Sequence, residues 1–267
     1  MRYVVASLNT LGLPFRGARI AERYREIAAG FESSTVDVAN LQEVFTYYHL
    51  TRLTRHMPSY RHASYRRSLI GPAGGLVTLS RVPVAGTRYH PLPAPGRPST
   101  MRRRGRMHAR LKGALVTRLA DPELHIVNIH PMANTDGDWS PGNRFHALQQ
   151  AQLARVALIV GGLSGPAVLC GDFNVARDSQ LHKDFMASTG LVDAFDGTCP
   201  PTFRAEFLPP GRPSFCIDFI LTNSLLRAEE PTVIFTDRPV SDHIGLRATL
   251  VGDARGAGPS QRLTGPA

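Results

Sequence analysis

The feature that most constrains how this chain folds is its succession of short apolar runs, several of them closed by a polar group. RYVVASLN, VDVANLQEV, GGLVTLSR, GALVTRL, LHIVNIH, PAVLCGDFN, CIDFILT and PTVIFT are short, apolar and rich in β-branched residues, as buried strands are. Between them lie RGARIAERYREIAAGF and RFHALQQAQLARVALIVGGL, whose spacing is compatible with helices; the second ends at a Gly pair. Many short strands and a few helices, without a repeat or a linker, predict one layered α/β or α+β domain. It is expected to span residues 1–251. The tail GDARGAGPSQRLTGPA, residues 252–267, has nothing to bury and is expected to be disordered. Residues 88–110 are rich in Pro and Arg and read as an exposed loop or hairpin.

Bulk properties narrow the class. With 267 residues, 42% of them hydrophobic, the chain can bury a sizeable core, which excludes general disorder. No apolar stretch approaches the length of a membrane span, so stable membrane insertion is not expected. The opening MRYVVASLNTLGLP lacks a signal-peptide apolar core and reads as a first strand. Cys170, Cys199 and Cys216 are odd in number and lack metal-type spacing, which favours reduced thiols in a cytoplasmic setting. The formal charge of +10 favours an anionic partner, whether nucleic acid, a phosphorylated metabolite or an acidic membrane surface. Almost all the basic residues are Arg, with Lys only at 112 and 183, so a compositional habit accounts for the charge equally well.

The polar ends of the runs carry the chemistry. ASLN ends at Asn9, VANLQE at Glu43, HIVNIH at His130, and AVLCGDFN at Asp172 and Asn174; Asp218 lies inside CIDFIL, and Asp242 and His243 precede the last apolar stretch. If the strand continues through GDFNV, Asp172 and Asn174 share one face. The alternative is a turn, which Gly, Asp and Asn all favour. Four carboxylates at buried strand ends would carry a large desolvation cost as purely structural groups. Clustered carboxylates are what a hard divalent cation such as Mg²⁺ requires, and no Cys or multi-His spacing points to zinc. The competing readings, less favoured, are Asn9 as a strand-end turn residue and His130, before Pro131, as a structural histidine.

In their order, SLNTLGLP, LQEV, GGLVTLSR, VNIHP, GDFNV, IDFIL and SDHIGL resemble the endonuclease/exonuclease/phosphatase superfamily, the DNase I-like fold. The resemblance extends over residues 1 to about 250 and lies closest to the neutral sphingomyelinase-like branch. It implies a four-layered αββα sandwich with its site at one end of two packed sheets. It implies a metal held by Asn9, Glu43 and Asp242, with Glu43 the principal ligand, and Mg²⁺ the cation or Mn²⁺ in its place. It further implies that Asp172 orients and deprotonates the attacking water, and that Asn174 steadies a phosphate oxygen or the nucleophile. His243 would act at the scissile phosphate, oriented by Asp218, with His130 against the phosphate or leaving group.

The activity expected is metal-dependent phosphoester hydrolysis, most specifically a phosphodiesterase acting on a phospholipid-like or small phosphorylated substrate. A nuclease acting on DNA or RNA is the first alternative, and a catalytically silent binding protein on the same scaffold the second. ANTDGDWSPGNRF, after His130, is either a substrate loop presenting Asn134 and Arg144 or a capped helix start. The basic stretch MRRRGRMHAR could track a nucleic-acid backbone, meet an acidic membrane, or be a solvated arm.

Overall fold

A computed structural model describes residues 1–13, 19–95 and 109–252. Along these residues come β1 (Arg2–Asn9), α1 (Ile20–Glu32), β2 (Val38–Gln42), α2 (Tyr47–Arg55), β3 (His62–Ser64) and β4 (Val77–Ser80). Then follow β5 (Val84–Pro91), β6 (Gly113–Leu119), β7 (Leu124–Ile129), α3 (His146–Gly161), β8 (Ala167–Asp172) and α4 (Gln180–Thr189). The last strands are β9 (Val192–Asp193), β10 (Asp218–Thr222), β11 (Leu226–Ile234) and β12 (Gly245–Gly252).

The strands form two six-stranded sheets, ordered β11-β12-β1-β2-β4-β3 and β5-β6-β7-β8-β10-β9. Each sheet has one parallel pair at its centre, β1 with β2 and β7 with β8, flanked by antiparallel neighbours. These central strands are covered on both faces, which is why VANLQ and AVLCGD are buried throughout and show no apolar alternation. The sheets pack face to face, with β1 and β2 against β7, β8 and β10.

Helices cover the outer faces. On α1, Tyr24, Ile27, Ala28 and Phe31 recur at helical spacing and pack with Leu8, Leu41 and Val77 of the first sheet. Leu153, Val156 and Ile159 of α3, with Leu181 and Phe185 of α4, join the core of the second sheet. The result is the expected αββα sandwich. Within the expected loop of residues 88–110, Arg88 to Pro91 belong to the edge strand β5, while residues 96–108 lie outside the described residues. The tail beyond Gly252 also lies outside them. Among the described residues no helix is long and apolar enough to cross a membrane, and the three cysteines are buried and unbridged.

The sandwich positions its polar residues through the parallel pairs. β1 and β2 end side by side at Asn9 and Gln42, and β7 and β8 at Ile129 and Gly171. In the second pair the approach is close. Gly171 has φ 141°, and a Cβ there would sit 2.1 Å from the Ile129 carbonyl oxygen, so only glycine lets β8 lie against β7 immediately before Asp172. Gly171→Ala is therefore expected to destabilise the protein by more than about 1 kcal/mol in urea unfolding. An unchanged midpoint would contradict this account of the strand end.

Candidate active site

The residues singled out in the sequence arrive at one end of the sandwich by different routes. Asn9 ends β1, and Glu43 follows β2 with φ 62°. Gly12 covers that turn so tightly that a Cβ would lie 1.8 Å from the Glu43 carbonyl oxygen, and its N–H donates to Glu43 Oε2 at 3.1 Å. From the other sheet, His130 follows β7 and Asp172 ends β8. Asp218 begins β10 directly opposite Asp172 in the antiparallel register. His243 lies two residues before β12, tied down by its N–H to Ser241 Oγ at 3.2 Å, while the Ser241 hydroxyl donates to the Asn9 carbonyl at 2.6 Å.

Asp172 and Asp218 are buried like charges facing each other across a strand pair, an unfavourable placement unless compensated. His243 supplies the compensation. Its Nδ1 lies 2.8 Å from Asp218 Oδ2 and its Nε2 3.7 Å from Asp172 Oδ2. Burial alone would discharge this imidazole, but Asp218, Asp172 and the hydrogen bond to Asp218 outweigh it and push its pKa up to about 10. The stability this contributes is fully present below the ordinary value of 6.5 and is lost as pH rises through about 10. For Asp172, burial dominates and pushes the carboxyl up to about 7, against the lowering influence of His243. Asn9 Nδ2 donates to its Oδ2 at 2.9 Å, and His130 Nε2 lies 3.5 Å from the same oxygen. A carboxylate poised near neutral pH is suited to general base work.

GDFNV turns out to be both of the things it could be. β8 stops at Asp172, and Asn174 takes φ 54° instead of extending the strand. Its N–H donates to Asp172 Oδ1 at 2.8 Å, an Asx-type turn that fixes the carboxylate, while Phe173 drops into the core against Phe185 and Phe219. The two side chains therefore do not alternate along a continuing strand; the turn presents them.

Glu43 and Asp242 lie on the cavity wall near Asn9. Burial, followed by the charge of Asp242, raises the Glu43 carboxyl above its ordinary range. Among the described ion pairs only His130, at 4.0 Å, reaches Glu43, and none reaches Asp242. Hard oxygen donors of this kind are a set that a divalent cation fits. Asp172, Asp218 and His243 also lie close enough together to share an ion. That trio is already a hydrogen-bonded chain, and an imidazole pushed up to about 10 keeps its proton instead of offering a lone pair. Glu43, Asn9 and Asp242 are the oxygen-bearing residues left that could hold a cation.

The cavity has a volume of about 800 Å³ and is lined by both polar and apolar side chains. Asn9, Glu43, His130, Asp172, Asn174, Asp242 and His243 share the lining with Leu11, Leu13, Trp139, Phe203, Phe207, Leu208, Phe215 and Ile217, and with the polar Thr135, Asp136 and Arg212. Asp218 stands behind His243, away from the cavity. Asn134 reaches the lining, but its Nδ2 donates to the Asp138 carbonyl at 2.8 Å. Arg144 does not join the site: it is exposed and makes a bidentate pair with Asp136, at 2.9 and 2.6 Å.

Three site elements escaped the sequence reading. Lys112 is buried and faces Glu43 and Asp172; burial pushes it down to about 8 against the pull of both carboxylates. Its only signal was rarity, as one of two lysines. The 203–215 segment supplies the apolar wall but reads as a Pro-rich loop. Thr202 Oγ1 accepts the N–H groups of Ile217 and Asp218, at 3.0 and 3.1 Å, and so seats the start of β10.

Comparison with known proteins follows this geometry. The Endonuclease/Exonuclease/phosphatase family matches residues 6–243. Human Sphingomyelin phosphodiesterase 2 is 24% identical over 277 aligned residues, which take in 94% of this chain and 64% of that protein. The chain thus spans less than two thirds of that curated relative. A mutant beta toxin from Staphylococcus aureus with bound magnesium ions shares the fold, with TM-score 0.70, 15% identity, and coverage of 93% of this chain and 99% of that one. D. rerio TDP2 complexed with a single-strand DNA product shares it too, with TM-score 0.70, 17% identity, and coverage of 94% and 99%.

The Asp218–His243 pair can be tested alone. In protein stripped of divalent ions, Asp218→Asn is expected to lower the His243 pKa by more than about one unit in an NMR titration. An unchanged titration would contradict the assigned pairing.

Proposed function

We propose that this chain, which belongs to the endonuclease/exonuclease/phosphatase family, is a divalent-metal-dependent phosphodiesterase for substrates that carry an apolar group beside the phosphate. The observation that carries this reading is one cavity in which the catalytic groups share the lining with many aromatic and aliphatic side chains, beside Thr135, Asp136 and Arg212. A phosphate at the catalytic groups would leave its apolar substituent to meet side chains such as Leu13, Phe203 and Phe215. Human Sphingomyelin phosphodiesterase 2, among the relatives, is named for a lipid of this kind. Nucleic-acid recognition is less well supported. Among the described residues Arg212 is the one arginine or lysine of the lining, and its Nη1 already donates to the carbonyls of Thr135 and Asp136, at 3.3 and 3.4 Å.

Each residue has a defined part. Glu43, with Asn9 and Asp242, would hold the cation, which when bound neutralises charge on the phosphoryl oxygens. Asp172 takes a proton from the attacking water, kept in aim by Asn9 and by the Asn174 N–H. The Asn174 side chain donates to a phosphoryl oxygen. His243, charged and held by Asp218, gives a second donor where negative charge grows. His130, beside Asp172 and Glu43, faces the leaving oxygen.

The test is hydrolysis of sphingomyelin in mixed micelles, bis-p-nitrophenyl phosphate, p-nitrophenyl phosphate and supercoiled DNA, each with Mg²⁺, Mn²⁺ or EDTA. Diesters with apolar substituents are expected to turn over fastest, EDTA to abolish turnover, and His243→Ala to lower kcat by at least about 10²-fold. Faster nicking of DNA than cleavage of the lipid would replace this reading with the nuclease one. Turnover indifferent to EDTA would remove the metal from it.

A further inference from the structure

Two glutamines one turn apart on α3, Gln149 and Gln152, are fully buried on a helix face that is otherwise apolar. A buried amide is costly unless its hydrogen bonds are made, and the partners here are specific. Gln149 Nε2 donates to the Asn174 carbonyl at 2.8 Å and to the Met132 carbonyl at 3.0 Å, while its Oε1 accepts from Asn134 Nδ2 at 3.4 Å. Gln152 Oε1 accepts the Met132 N–H at 2.8 Å, and its Nε2 donates to the Pro93 carbonyl at 2.8 Å. A second donor, Trp139 Nε1, reaches the Asn174 carbonyl at 3.0 Å.

Gln149 therefore joins the segment that follows His130 to the turn that follows Asp172. These are the ends of neighbouring strands, and beyond their last paired residues no ladder hydrogen bond sets their separation. The Asn174 backbone has φ 54°, tolerable for asparagine but not self-maintaining. Two donors on its carbonyl, and its own N–H on Asp172, hold that conformation from opposite sides.

We propose that Gln149 is a positioning residue. By fixing the carbonyls of Asn174 and Met132 it sets the aim of the Asn174 amide and the spacing between His130 and Asp172. The inference rests on the phosphodiesterase reading above, in which Asn174 meets the phosphate. A structural glutamine would affect stability alone; a positioning one affects kcat, and does so through Asn174.

The experiment compares Gln149→Met, which keeps the side-chain length but lacks donors, with Gln152→Met, which removes an equally buried amide that does not touch Asn174. Both are assayed on bis-p-nitrophenyl phosphate with Mg²⁺, alone and in the Asn174→Ala background. Gln149→Met is expected to lower kcat by about 10²-fold with KM within about twofold, the cost of a small misplacement. Gln152→Met is expected to lose less than about tenfold. In the Asn174→Ala background Gln149→Met should cost less than about tenfold, because the group it aims is gone. A crystal structure of Gln149→Met should show Asn174 out of its left-handed conformation. Equal losses from the two glutamine variants, fully additive with Asn174→Ala, or an unmoved Asn174, would overturn the proposal. Should Gln149→Met fail to fold, Trp139→Phe removes the other donor to the same carbonyl and must lower kcat in the same sense; unchanged kcat would overturn the proposal. Wild-type kcat in Asn174→Ala would instead refute the site reading itself. An impaired Asn174→Ala beside a fully active Gln149→Met would refute the positioning role alone.

Discussion

The constraint on which the rest of the structure depends is the gathering of four carboxylates at the end where two sheets meet, Asp172, Asp218 and Asp242 buried and Glu43 partly so. Each loses hydration that only specific partners replace. Asp218 has the His243 imidazole. Asp172 has Asn9, the Asn174 N–H and the edges of two histidines. Glu43 has the Gly12 N–H and the nearby Lys112 charge. Asp242 has the Ser241 hydroxyl at 3.3 Å and the nearby Arg23 charge, and it adds to the raised pKa of Glu43. The crowding of four carboxylates at one site is the physical case for a cation, independent of any likeness to other proteins.

The sandwich makes such a cluster possible because both sheets are built alike. Each has a central parallel pair whose ends open on the same edge, so Asn9 and Glu43 from one sheet meet His130 and Asp172 from the other. The two halves must stay in register to within a fraction of an ångström. Buried amides between the sheets do this work: Gln42 Nε2 donates to Asn128 Oδ1 at 2.8 Å, and Asn128 Nδ2 donates to the carbonyls of Leu41 and Val77, at 3.2 and 3.0 Å. Arg23 adds a clamp on the loop after β1, donating to the carbonyls of Thr10, Leu11 and Val240.

Much of this was legible in the sequence because a buried strand that ends on Asp, Asn or His breaks its own apolar pattern. β1 and β6 fall where their apolar runs predict, and the residues at the ends of β1, β7 and β8 come together at one cavity. Short edge strands such as β3 and β9 carry too few residues to show a period. α2 and α4 were missed, the first with only Leu50 and Leu53 as buried aliphatic anchors. Arg144 was misleading because a guanidinium in a polar loop looks the same in sequence whether it faces a substrate or, as here, Asp136. Gln149 and Gln152 give no signal in the sequence, since nothing local distinguishes a buried glutamine from a solvated one. GDFNV shows the limit of posing alternatives. The turn is the means by which the carboxylate is held.

The central claim is that the carboxylate cluster is completed by a divalent cation held principally at Glu43. Its most direct test is calorimetric titration of Mg²⁺ into the EDTA-treated protein and into Glu43→Gln, which keeps shape and hydrogen-bonding capacity but removes one charge. The account predicts saturable binding to the native protein and affinity at least about tenfold weaker in the variant, a loss of about 1.4 kcal/mol or more. Equal affinity in both proteins, or no binding to either, would contradict it.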